Sequence, residues 1–255
     1  MEGCSHAIVR KPPANFLLGQ SHDPSAVPDL QKTRAQHMDY VWTLYQVSLE
    51  PELLEADEQY PDSCFVEDTA ILAGNCAVIC RPGHPSRRGE EVAIADILRE
   101  NAFVLAHIEA PGTVDGGDVV RADRHFFIGL SARTNTQGAR QLAAILRQHG
   151  FSAEIVPVVE ALHLKSGISW LGGRTLLMTE AYAHNPVFAR YERIVTAANE
   201  NYAANCLSIN GTVIISAGYP QIADTLDQRG YELFQLRMSE FRKMDGSLTC
   251  LSLIW

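Results

Sequence analysis

The amino-acid sequence predicts an α/β fold built from repeated units, in which a β-hairpin is followed by a helix and a further strand. Two observations predict it. Pairs of short apolar runs flank a turn at four places, 70–81, 118–130, 167–178 and 204–216. These turns recur roughly every 40–50 residues, and amphipathic segments and short strands fill the intervals. Repetition at this spacing is typical of architectures made from one structural unit.

The turn residues support the hairpins, because each predicted turn carries Gly, Asn or Asp. These residues tolerate the positive φ angles that tight hairpins require. The predicted turns are Gly74-Asn75, Ala122-Asp123-Arg124, Gly172-Gly173 and Asn210-Gly211.

Amphipathic segments between the hairpins are predicted as helices. Ser86 is the predicted N-cap of a helix over 86–100, and Pro220 precedes a helix over 221–229. The other two cover 135–149 and a longer stretch near 29–46. The long helix is expected to present an apolar face of Met38, Val41, Trp42 and Tyr45.

The chain termini supply a fifth hairpin. An opening strand at Ala7–Arg10 and a closing strand at Leu248–Trp255 are both apolar and could pair with each other. Such pairing would cover strand edges that otherwise invite aggregation.

The amino-acid composition limits the classes of partner and the cellular location expected for the protein. The formal net charge of −9 argues against nucleic acid or an anionic membrane surface as the main partner. No stretch approaches the roughly 20 apolar residues that span a bilayer, and the N-terminus lacks the pattern of a signal peptide. Six cysteines without paired close spacings indicate thiols in a reducing compartment. The expected location is the cytoplasm.

Several reactive side chains lie on separate segments. They are Cys250 near the C-terminus, His163 in mid-chain, and the carboxylates Glu67, Asp68, Asp115 and Asp118. A covalent cysteine enzyme needs a nucleophile, a base and acids of this kind, provided that folding brings them together. Taken singly, each has an ordinary explanation: a buried strand thiol, a structural histidine, or solvated loop carboxylates.

Seven segments, in one order, resemble the dimethylarginine dimethylaminohydrolase family of the guanidine-modifying (pentein) superfamily. They cover nearly the whole chain and are Pro-Asp-Ser-Cys-Phe-Val-Glu-Asp (61–68), Arg-Pro-Gly-His-Pro-Ser-Arg-Arg (81–88), Asp-Gly-Gly-Asp-Val (115–119), Ser-Ala-Arg-Thr-Asn (131–135), Leu-His-Leu-Lys-Ser (162–166), Ala-Ala-Asn-Cys (203–206) and Lys-Met-Asp-Gly-Ser-Leu-Thr-Cys (243–250).

The resemblance implies a fold and an activity. The fold is a five-bladed α/β propeller of ββαβ repeats with pseudo-fivefold symmetry, as a single domain over 1–255 with the active site in a central channel. The activity is hydrolysis of dimethylarginine or monomethylarginine to citrulline and dimethylamine or methylamine. Neither a metal nor another cofactor is implied, and a homodimer is left open.

The resemblance also assigns catalytic roles. Cys250 is the expected nucleophile, because a thiolate can attack the poorly electrophilic guanidinium carbon. His163 is the expected general acid and base, and Asp115 orients its imidazole as the third member of a triad. Asp118 stays open as a second choice for the orienting residue.

Substrate-binding residues follow from the same match. Asp68 is expected to accept paired hydrogen bonds from the guanidinium, and Glu67 to assist from the side. Arg87 and Arg133 are expected to bind the carboxylate of the substrate, and Asp62 its ammonium group. An assignment shifted by one residue, to Arg88, stays open.

The segment Leu17–His22 resembles a mobile lid, with Gly19 as its flexible point and Gln20 over the substrate. Bacterial relatives have a leucine near the position of Gln20, and this chain does not match them there. The N-substituent that the substrate should carry therefore stays open.

Three rival functions remain. Arginine deiminase or amidinotransferase activity is nearest, and a catalytically silent binding protein could share the fold. A metal-dependent hydrolase has the least support of the three, since the sequence has no His-Glu-x-x-His string or paired cysteine spacing.

Overall fold

Five three-stranded sheets make up the β structure of the computed structural model, which describes residues 3–255. In each sheet the central strand pairs antiparallel with one neighbour and parallel with the strand that follows a helix. This is the ββαβ unit that the sequence predicts. In chain order the strands are β1 (His6–Arg10), β2 (Glu50–Leu54), β3 (Ala70–Ala73), β4 (Cys76–Ile79), β5 (Val104–His107), β6 (Val119–Ala122), β7 (His125–Leu130), β8 (Ser152–Pro157), β9 (Ile168–Gly172), β10 (Thr175–Met178), β11 (Glu192–Val195), β12 (Leu207–Ile209), β13 (Thr212–Ser216), β14 (Glu232–Leu236) and β15 (Leu253–Ile254).

Helices connect the second and third strands of each unit. They are α1 (Leu30–Gln46), α2 (Glu90–Glu100), α3 (Thr136–Gln148), α4 (Glu180–Ala183) and α5 (Pro220–Gln228), with a further short helix, α6 (Ser239–Arg242), after the last unit. None of the helices within residues 3–255 is both long enough and apolar enough to cross a membrane.

The described residues pack as two compact units. The first combines the chain up to Phe65 with Gly167–Trp255, and the second is Val66–Ser166. The first unit contains the sheets β15-β1-β2, β9-β10-β11 and β12-β13-β14, and the second contains β3-β4-β5 and β6-β7-β8.

All four internal hairpins form where the sequence predicts them, as do α1, α3 and α5 to within a residue or two at their ends. Asn135 caps α3 by accepting a hydrogen bond from the Gly138 N–H, as its side-chain chemistry favours. The hairpin between the termini also forms, with Ala7 opposite Ile254, but β15 is only two residues long.

Three predicted details are wrong. Ser86 does not cap α2: it lies in a separate 3-10 turn, and Gly89 precedes α2 with a φ of 111°. Cys250 does not lie on the closing strand, because Thr249–Leu251 form a 3-10 turn before it. The apolar face predicted for α1 is not the buried face, because Met38, Trp42 and Tyr45 are 49%, 65% and 51% exposed, respectively.

The buried face of α1 explains that last difference. Val41 does point inward, but its buried neighbours are Thr33, His37, Tyr40 and Leu44. These residues form a stripe at helical spacing that runs beside the one predicted. The sequence therefore carries two candidate stripes, and packing buries the one that contains polar residues.

Three phenylalanines form the centre of the first unit's core. The rings of Phe16, Phe65 and Phe241 lie 5.8–6.2 Å apart, centroid to centroid, in tilted or edge-on pairs. Gly246 packs directly on them, since a Cβ there would lie 2.4 Å from the Phe65 ring. This cluster supports both the segment that follows Phe16 and the segment that leads to Cys250.

Candidate active site

His163 and Asp115 form the centre of the polar cluster in the second unit. The imidazole is buried immediately before a 3-10 turn, and its Nε2 lies 3.2 Å from Asp115 Oδ2. Asp115 is fully buried, and its Oδ1 accepts a hydrogen bond from the Gly83 N–H at 2.8 Å. Because both carboxylate oxygens are engaged, the carboxylate and the ring it contacts are held in one orientation.

Asp118 contacts the backbone beside His163 and not its ring. Its Oδ1 accepts the Leu164 N–H at 3.1 Å, and its Oδ2 accepts the Ser131 hydroxyl at 2.6 Å. Burial raises the pKa of Asp118 to about 6, although His163 and these hydrogen bonds oppose the rise. Of the two candidate orienting residues, Asp115 therefore touches the imidazole and Asp118 anchors the chain that carries it.

The surrounding carboxylates favour the charged form of His163. Burial by itself would lower the pKa of the ring, but the charge of Asp68, the hydrogen bond that the ring donates to Asp115 and the charge of Asp118 raise it to about 9. At neutral pH the ring is therefore an imidazolium that can donate a proton.

Asp68 is ionised and already has two partners. Its Oδ1 accepts the Gly117 N–H at 2.8 Å, and its Oδ2 lies 2.5 Å from Arg87 Nη1. Burial would raise its pKa, but His163 and Arg87 outweigh that effect and lower the pKa to about 2. Each carboxylate oxygen can accept a second hydrogen bond, so Asp68 keeps acceptor capacity.

Arg87 is buried between two carboxylates. Its Nε and Nη2 contact Glu90 at 3.0 and 2.7 Å, while Nη1 contacts Asp68. The neighbouring Arg88 is exposed, and its Nε donates to the Pro82 carbonyl at 3.2 Å. The structure thus places the predicted carboxylate ligand inside an ion-pair network and leaves the alternative arginine at the surface.

Glu67 lies one residue before Asp68 in a 3-10 helix, Val66–Thr69, that leads into β3. Its Oε1 is 2.5 Å from Lys165 Nζ. An extended strand would direct two successive carboxylates to opposite faces, but the helical turn removes that restriction. Two carboxylates can be buried here because each has a cation beside it.

Close backbone approach explains the two glycines of the Asp-Gly-Gly-Asp string. A Cβ on Gly116 would lie 1.9 Å from the carbonyl oxygen of Glu67. A Cβ on Gly117 would lie 2.7 Å from His163 Nδ1 and 3.1 Å from Asp68 Oδ1. Any side chain at these positions would displace the imidazole or the 3-10 helix.

Arg133 is partly buried just before α3. Its backbone N–H donates to the Ser131 hydroxyl at 2.9 Å, and the same hydroxyl donates to Asp118. Gly83 packs against it so closely that a Cβ would lie 2.2 Å from the Arg133 carbonyl oxygen. Because Gly83 also donates to Asp115, one loop joins the Arg133 backbone to the His163–Asp115 pair.

In the first unit, Cys250 is half-buried in its 3-10 turn, and its Sγ lies 3.6 Å from the Ser247 hydroxyl. Asn205 holds this turn: its amide donates to Thr249 Oγ1 at 2.9 Å and its carbonyl accepts the Thr249 N–H at 3.1 Å. The Ala-Ala-Asn-Cys string therefore supports the Cys250 segment through Asn205. Cys206, by contrast, is a buried thiol whose pKa burial raises to about 12.

Asp62 holds the predicted lid segment in place. Its buried carboxylate accepts the Gln20 backbone N–H at 3.1 and 3.3 Å. A Cβ on Gly19 would lie 2.4 Å from Asp62 Oδ1, and the φ of Gly19 is an ordinary −66°. Glycine is therefore required here for close approach to Asp62, not for an unusual backbone angle.

The far end of that segment is anchored to the chain that leads to Cys250. The Ser21 hydroxyl donates to the Lys243 carbonyl at 2.8 Å, and the His22 N–H donates to Asp245 Oδ2 at 2.8 Å. The His22 ring also contacts Asp245. Leu18, which precedes both anchors, is 77% exposed.

The structure thus groups the predicted residues within each unit. The second unit brings together Glu67, Asp68, Arg87, Asp115, Asp118 and His163. The sequence interpretation missed Lys165, Glu90 and Asn205 as partners of these residues. Signals for all three were present: Lys165 and Asn205 lie inside matched strings, and Glu90 follows Arg87 at the i+3 spacing of a helical ion pair.

Asp68, Asp115 and His163 also have ligand atoms within 4.8 Å of one another, close enough to hold a metal ion. A metal would have to displace Arg87 from Asp68 and a proton from the imidazolium. The absence of a metal or other cofactor from the reaction stays a prediction.

Comparison with known proteins identifies a family model and full-length relatives of this chain. The family model described as "N,N dimethylarginine dimethylhydrolase, eukaryotic" matches residues 18–233. The N(G),N(G)-dimethylarginine dimethylaminohydrolase of Pseudomonas aeruginosa is 40% identical over 249 residues, covering 97% of this chain and 98% of that protein. The enzyme of the same name from Streptomyces coelicolor is 31% identical over 256 residues, covering 96% and 95%.

A solved structure of the Pseudomonas aeruginosa protein, a cysteine-to-serine mutant complexed with citrulline, aligns with a TM-score of 0.97 at 39% identity and covers 99% of both chains. The likeness confirms the predicted fold class, an α/β propeller of five ββαβ units. With the family model and the relatives matching almost throughout, the chain belongs to the dimethylarginine dimethylaminohydrolase family.

Proposed function

We propose that this protein hydrolyses Nω-methylated arginines, dimethylarginine and monomethylarginine, to citrulline and dimethylamine or methylamine. Membership of the family and the 40% identical relative that bears this activity in its name support the proposal. The observation that carries it is the buried His163–Asp115 pair beside the ionised Asp68, a site suited to a planar cation and to proton transfer. The protein is a C–N hydrolase that acts on linear amidines.

In the proposed reaction the Cys250 thiolate attacks the guanidinium carbon and forms a C–S bond. His163 gives its proton to the methylated nitrogen, the C–N bond breaks, and the amine leaves a thiouronium intermediate on Cys250. Water then attacks the same carbon and passes one proton to His163, and the C–S bond breaks. The O-protonated citrulline that results loses the second proton to solvent, where the released amine takes it up, so citrulline, the thiolate, the imidazolium and a protonated amine are formed and atoms and charges balance.

Asp115 supports His163 in both steps. The carboxylate at 3.2 Å from Nε2 favours the imidazolium and fixes the ring. This is the role of the third member of a triad, which stabilises the charged imidazole without taking its proton. Asp118 acts indirectly: its carboxylate accepts the Leu164 N–H and so holds the backbone next to His163.

Asp68 and Glu67 are proposed to bind the guanidinium of the substrate. Asp68 is ionised and retains acceptor sites beyond those used by Gly117 and Arg87. Charge-assisted hydrogen bonds of this kind are about twice as strong as neutral ones. Glu67, which Lys165 holds at 2.5 Å, assists from the side.

Arg87 and Arg133 are proposed to bind the substrate carboxylate and Asp62 its ammonium group, while Gln20 contacts the substrate from the lid segment. The link of Arg133 to the His163–Asp115 pair through Gly83 supports this for Arg133. The contacts of Arg87 with Asp68 and Glu90 leave Arg88 open as the alternative.

Four broader statements complete the proposal. The chain is a single domain over 1–255 with its active site in a central channel, and the reaction needs no cofactor. The protein acts in the cytoplasm on a small molecule, without nucleic acid or membrane partners. A homodimer remains open.

Product analysis tests the activity. Incubation with asymmetric dimethylarginine should yield citrulline and dimethylamine in equal amounts, with monomethylarginine also consumed. Free arginine should react far more slowly. Conversion of arginine alone would replace the proposal with arginine deimination, and no conversion of any of the three would favour a silent binding protein.

Covalent catalysis is tested separately. Cys250→Ser should keep the fold, measured by circular dichroism, and lose essentially all turnover, because an alcohol is a far weaker nucleophile than a thiolate at neutral pH. Cys206→Ser is the matched control, since that thiol is buried and should not react. Substantial turnover by Cys250→Ser would rule out the thiouronium intermediate.

A further inference from the structure

The first unit contains a cavity that the reaction does not use. It has a volume of about 400 Å³ and lies where β13 and β14 end, beside α6. None of the residues proposed to bind or transform methylated arginine lines it. A cavity of this size accommodates a small organic molecule.

The two charged residues that line the cavity are both cationic, and its other polar groups are hydroxyls. Arg237 and Arg242 both face it. Arg242 Nη1 donates to the Tyr219 hydroxyl at 2.8 Å, and its guanidinium lies 5.0 Å from the centre of the Tyr202 ring. Arg237 makes an exposed ion pair with Asp39 at 3.8 Å, which is a weak restraint. Arginine presents a planar set of donors that suits carboxylate and phosphate groups.

A buried hydroxyl lies in the same wall. Ser216, the last residue of β13, lines the cavity and is 1% exposed, and its Oγ has no hydrogen-bond partner among residues 3–255. Buried hydroxyls in proteins are nearly always hydrogen-bonded, and leaving one without a partner costs free energy. A ligand oxygen would supply the missing partner.

The remaining wall is aromatic and apolar. The rings of Tyr202 and Tyr219 lie 5.9 Å apart with a tilt of 37°, and Met238 is buried beside them. Aromatic and thioether side chains favour a flat apolar body. The cavity therefore offers cationic donors to one part of a ligand and an apolar wall to the other.

Three carboxylates near the cavity must be counted. Asp39 lies 3.8 Å from Arg237, and Glu240 accepts the Ser239 hydroxyl and pairs with Lys243. Glu200 is buried and accepts the N–H groups of Gln221 and Ile222, at 3.1 and 2.8 Å, in the first turn of α5. Its charge is therefore compensated by the helix terminus. The start of α5 is thus already occupied, so any attraction for an anion comes from the two arginines.

We propose that this cavity binds a small organic oxyanion, a phosphate monoester or a carboxylate with an aromatic or other flat apolar body. The anionic group lies against Arg237, Arg242 and the Ser216 hydroxyl, and the body lies against the tyrosine rings. The site is separate from the one that holds the guanidinium substrate.

Calorimetric titration of the full chain tests the proposal with three probes of similar size: phenyl phosphate, benzoate and neutral benzyl alcohol. At least one of the two anions should bind, and which one binds more tightly identifies the anionic group. Benzyl alcohol should bind much more weakly. No binding by either anion, or equal binding of the alcohol, would overturn the proposal.

Paired variants locate the site. Arg237→Gln and Ser216→Ala should each weaken binding of the preferred anion, by roughly tenfold to a hundredfold for the arginine, which loses a charged hydrogen bond. Arg133→Gln removes the same charge from the proposed substrate site and should leave the affinity unchanged. The reverse pattern, with loss in Arg133→Gln and none in Arg237→Gln, would assign the anion to the substrate site and reject a separate cavity. Thermal unfolding of each variant checks the fold.

Discussion

At the scale of single residues, the buried charged side chains of the candidate site lie beside groups of opposite charge. Asp68 lies against Arg87, Arg87 also against Glu90, Glu67 against Lys165, and Asp115 against His163. Removing one partner from such a pair leaves an uncompensated buried charge, which costs far more than breaking a surface ion pair. The substrate cation therefore has to be accommodated by acidic groups that already have partners, and the charge state of each partner affects both stability and rate.

His163 should make stability depend on pH. Its pKa is about 9 in the folded protein, above the unfolded value near 6.5, so its contribution is complete below pH 6.5 and is lost as the pH rises through 9. The difference corresponds to about 3 kcal/mol. Urea unfolding between pH 6 and 10 should show this loss for the wild type and a flatter profile for His163→Gln. Parallel profiles would contradict the charged state of His163.

Asp115 and Asp118 can be separated by isosteric substitution. Asp115→Asn should lower kcat by roughly 10²- to 10⁴-fold and move the alkaline fall in kcat/KM to lower pH, because the imidazolium loses its contacting carboxylate. Asp118→Asn keeps an oxygen for the Leu164 N–H and should lower kcat far less. The pH dependence of kcat/KM for both variants decides this. A larger effect in Asp118→Asn would make Asp118 the orienting residue.

The two adjacent arginines give a similar contrast. Arg87→Lys should raise KM for dimethylarginine at least tenfold and also destabilise the fold by about 3 kcal/mol, since lysine cannot bridge Asp68 and Glu90 as the guanidinium does. Arg88→Lys should change either quantity little. Steady-state kinetics and urea unfolding measure both. A raised KM in Arg88→Lys alone would shift the assignment by one residue.

At the scale of elements, what the sequence could predict depended on how local the signal was. Hairpin turns such as Asn210-Gly211 are set by the residues in the turn, with positive φ angles of 49° and 90°, so they were predicted at the right places. The 3-10 turn around Cys250 depends on contacts from a distant segment, such as Asn205 with Thr249. No local pattern encodes those contacts, so this turn was wrongly predicted. The start of α2 was misplaced for a local reason, because His84 caps a separate turn by accepting the Ser86 N–H and Gly89 takes a φ of 111° before the helix begins.

Asn205 should affect catalysis through the turn that it holds. Asn205→Ala removes two hydrogen bonds to Thr249 and should cost about 1–3 kcal/mol of stability while lowering kcat roughly tenfold, because a misplaced reacting atom slows the reaction steeply. Inactivation of Cys250 by an amidine-based label should slow in parallel. Asn201→Ala is the control: it removes one hydrogen bond to Thr196 in the same segment and should leave kcat unchanged. Equal losses in both variants would point to general destabilisation.

At the scale of the whole molecule, family resemblance and local pattern contributed different things. The repeated hairpins indicated an α/β repeat, and only the resemblance extended that to a propeller of five units. The roles of Cys250 and His163 likewise came from matched strings, whereas the partners that tune them, such as Asn205 and Lys165, emerged from the structure. Long-range partners are set by packing, which a single sequence does not display.

Net charge is a property of the whole chain that should be visible in binding. Dimethylarginine carries one net positive charge, and the protein has a formal charge of −9. For a folded chain of this length, with a radius of gyration of about 18 Å, the attraction is on the order of 1 kcal/mol at low ionic strength and a few tenths in ~0.5 M salt. KM should therefore rise about twofold to threefold over that range. Citrulline, which has no net charge, should show an inhibition constant that does not change with salt. A salt effect of the same size on citrulline would mean that salt acts on the protein and not on attraction to the substrate.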